Sequence, residues 1–151
     1  MGSNITTFTV QAHLVVTAVM CGIIWWVQVV HYPMFSSIGA EEFVSYHTRN
    51  VQRTTMVVGP VMLGEAFLAL ALVYLLTAQS VLGFAWVGMG LLGVVWGTTA
   101  FCSVPAHGIL SEGFDSAAHD RLVMTNWIRT LGWTARLFIA WLIARAPSAI
   151  Q

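Results

Sequence analysis

The sequence predicts an all-α fold: an integral membrane four-helix bundle of antiparallel, up-down topology in a single domain. Two observations carry this. First, 58% of the 151 residues are hydrophobic and 8% are charged, with a mean hydropathy of +0.78, whereas a soluble domain carries roughly 25% charged residues. Second, four windows supply the about 20 mostly apolar residues that a membrane-crossing helix needs. They run from Phe8 to Val30, Thr54 to Leu76, Val81 to Val104 and Leu122 to Ala144, and nearly exhaust the chain.

The charges exclude some partners. Six arginines balance six acids and Lys is absent, so neither a nucleic-acid patch nor a polybasic lipid-binding segment is available. Cys21 and Cys102 sit in apolar helices, where thiols behave as small hydrophobes. At the N-terminus, Met1-Gly2-x-x-x-Thr6 fits a myristoylation pattern and Asn4-Ile5-Thr6 a glycosylation sequon. The two demand opposite sides of a membrane, and both are read as chance.

The first window has no Lys or Arg before it and no small-x-small cleavage site after it, so it reads as a retained span rather than a signal peptide. His13 and His31 lie five turns apart at about 3.6 residues per turn, on one face near opposite ends. His13, alone among apolar neighbours, is expected at the far interface. His31-Tyr32-Pro33 closes the helix, because Pro disfavours helix for the residue before it. Glu41 and Glu42 suit the positive end of a second helix that begins outside the hydrocarbon. Along it His47, Asn50, Thr54, Val61 and Glu65 fall within about 60° of one another at about 100° per residue, a largely polar stripe. Pro60 is expected to kink this helix near Met56 and widen the bundle above Glu65.

Thr77 to Ser80 is a tight polar turn that makes spans two and three neighbours. In the third span Gly83, Gly90 and Gly97 recur every seven residues, and Gly93-x-x-x-Gly97 has the spacing that lets membrane helices approach closely. Ser103 to Asp120 reads as a loop broken by Pro105, Gly108 and Gly113, with Asp115 or Ser116 capping the last helix. In that helix Asn126, Arg129, Trp133, Arg136 and Ala140 step by three and four, the spacing of one face. Both arginines therefore point the same way.

Four spans bring His31, His47, Arg49, Arg53, His107, His119, Arg121 and all the acids except Glu65 to one end. At 1.5 Å per residue Glu65 lies about 16 Å inward from Thr54, Arg129 about 10 Å and Arg136 about 21 Å from Leu122. A charge at mid-bilayer costs about 3 kcal/mol or more, so Glu65, Arg129 and Arg136 should face one another or a wet cavity. Two arginines against one glutamate leave a positive excess, which would attract a ligand that is anionic or becomes so on reaction. The competing reading is an ion pair that only sets helix register.

His31 and His107 are expected at the cavity mouth. Trp133, Arg136, Glu65 and His47 are candidate substrate-binding residues, Trp133 because it shares the arginine face. Trp25, Trp26, Trp86, Trp127 and Trp141 suit aromatic belts. His31, His47, His107 and His119 are the candidate metal ligands. However, no His-x-x-x-His or Glu-x-x-His pair is present and Asp115-x-x-x-His119 stands alone. Haem on two of these histidines is open, with no attachment motif.

The turn at Pro105 followed by Asn126-Trp127-Ile128-Arg129-Thr130 resembles the signature of the DUF1772, or anthrone oxygenase-like, family of small four-span membrane proteins. The resemblance covers the last third of the chain, and the rest mainly by topology. Asn126, Arg129 and Thr130 match a Trp-Asn-x-x-Arg-Thr run, while Trp is displaced to Trp127, and Ser103 and His107 stand where the family tends to have Asn. The resemblance implies an oxygenase that converts anthrones to anthraquinones, a reaction that requires no metal once a carbanion forms. By that implication His107 or His31 removes the proton alpha to the carbonyl, Arg129 with Asn126 stabilises the oxyanion, and Trp133 stacks on the rings.

The partner is then a hydrophobic small molecule or lipid-like ligand. The chain is expected in the cell membrane, multi-pass, with a faint arginine bias placing the polar end in the cytoplasm. Homo-oligomers and larger membrane complexes stay open. The other functional class is a non-catalytic membrane subunit, or a binder of a lipid, quinone, pigment or haem.

Overall fold

The computed structural model describes residues 2–146, so Met1 of the N-terminal pattern lies outside the described residues. Helix α1 spans Gly2–Trp26, α2 Ala40–Leu75, α3 Gln79–Thr98, α4 Val104–Leu110 and α5 Ser116–Arg145, with no strand among the described residues. Helices α1 and α3 each pack against both α2 and α5, so the four long helices close into a ring. The middle of α1 meets the far half of α2 through His13 and Glu65, and the turn that follows α1 meets the start of α5 through Gln28 and Val123.

Among the described residues three stretches are long and apolar enough to cross a membrane: Asn4–Ser37, Ala40–Leu75 and Val81–Leu110. The fourth expected window, Leu122 to Ala144, is not among them. Its mean hydropathy is lowered by Asn126, Arg129 and Arg136, and all three of these side chains are buried.

Both connections at the polar end are more helical than the sequence suggests. Instead of closing at His31-Tyr32-Pro33, α1 widens into a π turn at Val27–His31, with Tyr32 N–H donating to Val27 O at 3.0 Å. Pro33 then starts a 3-10 turn through Ser37. Likewise α3 passes into a second π turn at Thr99–Ser103, and the expected loop from Ser103 to Asp120 holds helix α4, with Pro105 in its first turn. Pro is tolerated there because a first-turn N–H has no intrahelical acceptor. The cap of α5 is Asp115, whose Oδ1 accepts from Ala118 N–H at 2.7 Å. Helix α2 runs through Pro60 as one element.

The close helix approach differs from the one expected. A Cβ added at Gly83, Gly90, Gly93 or Gly97 would meet nothing within 4 Å. At Gly132 it would lie 2.7 Å from Val95 Cγ2, and Val95 is fully buried, so α3 and α5 touch there. Overfilling such a contact forces side chains off their rotamers. Gly132→Ala is expected to destabilise the protein by about 1–3 kcal/mol in a denaturant titration in detergent, with Gly93→Ala close to wild type.

Candidate functional site

Two polar clusters occupy the interior, and they do not join into one ion-pair network. The first is centred on Glu65, which is fully buried. Its Oε1 accepts from Arg136 Nη2, from His13 Nε2 at 3.1 Å and from Thr17 Oγ1 at 3.3 Å. Arg136 also donates to the Gly88 carbonyl and stands over the Trp133 ring, 5.4 Å from its centroid. His13 is thus not an interfacial residue. It is buried and bonded to Glu65 of α2, and the π turn at Val27–His31 breaks the helical register that put it on one face with His31.

The second cluster surrounds a cavity of about 480 Å³ between α2 and the bend from α3 into α4, within the about 300–1,000 Å³ range of small-molecule sites. Helix α2 lines it with Asn50, Thr54, Val58, Gly59 and Met62 beside Pro60. The first π turn and the residue after it bring in His31 and Tyr32, the second brings in Ser103, α4 brings in His107, and α5 brings in Arg129. Both widened turns therefore border the cavity, the setting in which π turns recur.

Arg129 is buried, and no carboxylate pairs with it among the described residues. Neutral groups hold it instead. Its Nη1 donates to Asn126 Oδ1 at 3.0 Å and reaches Ser103 Oγ at 3.5 Å. Asn126 Nδ2 donates to Gln28 Oε1 at 2.9 Å, and Gln28 Nε2 donates to the Val123 carbonyl at 3.2 Å. Nε of Arg129 has no hydrogen-bond partner among the described residues, and its guanidinium is near enough to Tyr32 and His107 for its charge to reach both. An uncompensated buried cation costs several kcal/mol unless something neutralises it, and the cavity is the open space that Arg129 borders.

A row of hydrogen bonds runs along the cavity from Tyr32 to Ser111. The Tyr32 hydroxyl lies 3.2 Å from His107 Nε2, His107 Nδ1 lies 3.0 Å from His47 Nε2, and His47 Nδ1 lies 3.4 Å from Ser111 Oγ. His31 stacks on Trp26 with centroids 4.8 Å apart, and its Nε2 is buried without a partner. His119 is turned away, its Nε2 donating to the Tyr32 carbonyl at 2.9 Å.

Of the residues expected at the site, His31, His107 and Arg129 line the cavity, and His47 stands directly behind His107. Asn126 does not line it and acts by holding Arg129. Trp133, Arg136 and Glu65 lie elsewhere: Trp133 is wholly within the core cluster, and the other two pair with each other. The candidate metal ligands His31, His47, His107 and His119 do not converge, since no group of three His, Cys, Asp or Glu side chains is placed to hold a metal ion among the described residues. Sequence reading missed Tyr32, Gln28 and Ser111. Tyr32 adjoins His31, and Ser111 lies one helical turn after His107, a spacing that would have indicated the contact.

No family model, curated protein or solved structure matches this chain.

Proposed function

We propose that the protein is an integral membrane enzyme of the oxygenase type, acting on an enolisable or phenolic hydrophobic substrate in the cavity beside Arg129. The membrane reading rests on where the apolar surface lies. In the apolar 18-residue window of each of the three stretches only 39%, 22% and 33% is buried, with Phe67, Tyr74, Phe101 and Met56 each more than two-thirds exposed. Surface of that kind calls for lipid rather than water. Trp25, Trp26, Trp86, Trp127 and Trp141 are part-exposed, as interfacial belts require. Helix α5 turns its polar face inward and leaves Met124, Leu131 and Phe138 exposed, so its outer face also suits lipid and it completes an antiparallel up-down bundle. Its polar end faces the cytoplasm in the cell membrane.

The observation that carries the catalytic reading is the buried, acid-free Arg129 on a cavity large enough for a polycyclic molecule. A substrate that becomes an enolate or phenolate gains more from such a fixed cation than its neutral form does, and this difference lowers the barrier. Val58, Met62 and Val104 take the apolar body, while the histidine and tyrosine side of the cavity takes the proton. The chemistry is that implied by the DUF1772 resemblance: the carbanion attacks dioxygen, and the resulting hydroperoxide loses water to leave a carbonyl.

The test is oxygen uptake by the purified chain with a hydroxylated anthrone. The expected result is one dioxygen consumed per quinone formed. Binding of the probe with no oxygen uptake would instead make the protein a carrier or sensor of such molecules.

A further inference from the structure

We infer that Tyr32, rather than a histidine, takes the proton from the substrate, and that His107, His47 and Ser111 carry it around the filled cavity to the protein surface. This rests on the substrate class proposed above and adds to it the group that ionises the substrate.

The direction of the row comes from counting hydrogens. Ser111 Oγ has one, and it is donated to the His107 carbonyl at 2.8 Å. The contact with His47 Nδ1 must then be one in which His47 Nδ1–H donates. A neutral imidazole carries a single N–H, so His47 Nε2 is bare and accepts from His107 Nδ1–H. By the same rule His107 Nε2 is bare and accepts from the Tyr32 hydroxyl. All the bonds run one way, from Tyr32 at the buried cavity wall to Ser111 at its exposed rim. His47, wholly buried, is outside the cavity lining, so the row stays connected when a ligand fills the space.

The charge of Arg129 reaches both Tyr32 and His107, but both ring nitrogens of His107 are engaged within the row. The Tyr32 oxygen is therefore the atom of the row left to accept a proton from a substrate held against Arg129. In the step, the substrate C–H or O–H bond breaks and its proton joins the Tyr32 oxygen as the Tyr32 hydrogen passes to His107 Nε2. The His107 Nδ1 hydrogen passes to His47 Nε2, the His47 Nδ1 hydrogen passes to Ser111 Oγ, and Ser111 releases one to water. The substrate is left as an enolate or phenolate beside Arg129, one proton appears in water, and no electron moves.

The experiment uses the full chain in detergent, without oxygen, and a hydroxylated anthrone as probe. Absorption of the probe anion and a pH indicator are followed in stopped flow, with probe binding measured separately by equilibrium dialysis. Wild type is expected to form the anion and release a proton in one phase. Tyr32→Phe is expected to bind the probe but form the anion about 10²-fold more slowly or worse, the size of a general-base contribution. His47→Ala should be slowed likewise and recover with added imidazole. Anion formation at the wild-type rate in either variant would overturn the inference. Failure of wild type to bind the probe would overturn the proposed substrate class, and the relay with it. Nitrogen-15 histidine spectra of the wild-type protein test the row without any probe. His47 and His107 are both expected as Nδ1–H tautomers, and an Nε2–H form of either would refute the direction.

Discussion

Arg136→Ala is expected to be the most destabilising single substitution in the chain, lowering unfolding free energy in detergent by about 3–5 kcal/mol. Glu65 is fully buried, and a single oxygen collects the Arg136, His13 and Thr17 donors. Removing the guanidinium leaves a buried carboxylate with only His13 and Thr17 beside it and deprives the Gly88 carbonyl of its donor. Removing both charges is different, because an apolar pair of similar volume has no desolvation cost to offset. Glu65→Leu with Arg136→Met should regain most of the loss. If Arg136→Ala lost less than about 1 kcal/mol, as an exposed pair would, the buried pairing would be wrong.

Arg129→Ala is expected to do the reverse, lowering turnover of a hydroxylated anthrone by about 10²–10³-fold while the bundle stays folded. The difference between the two arginines lies in their partners. Arg129 pairs with no acid among the described residues, so its removal strands no charge. Asn126 keeps its bond to Gln28, and Thr130 its bond to the Asn126 carbonyl at 3.0 Å. The loss is the positive charge that a substrate anion would meet. Arg129→Lys should recover only part of the activity, because an ammonium group lacks the planar fork that Asn126 and Ser103 hold in place.

The division of labour between the arginines was not readable from the sequence, although their common face was. Spacing by three and four put Asn126, Arg129, Trp133, Arg136 and Ala140 together, and all five are buried. The stripe on α2 likewise put His47 and Glu65 on one inward face. Spacing cannot give the interior group that each residue meets. That depends on helix depth and on α1, whose His13 takes one side of Glu65.

The residues at the helix ends were harder to place, for a local reason. Two π turns each insert an extra residue and rotate the next part of the helix. They change where Tyr32 and Ser103 point without leaving a period in the sequence. Pro33 and Pro105, read as breakers, stand in first turns, where a missing N–H costs nothing. Glycine spacing misled for a related reason. The seven-residue repeat on α3 marks a smooth face, yet the contact with α5 is made at Gly132, which belongs to no repeat.

The measurement that bears most directly on the cavity's chemistry is oxygen uptake by Arg129→Ala and wild type with the same anthrone, alongside unfolding of both in detergent. A loss of about 10²-fold or more in uptake, with the variant still folding cooperatively, is the expected result. Wild-type uptake in the variant would contradict a catalytic Arg129. Collapse of the fold would mean that the arginine serves the bundle rather than the substrate.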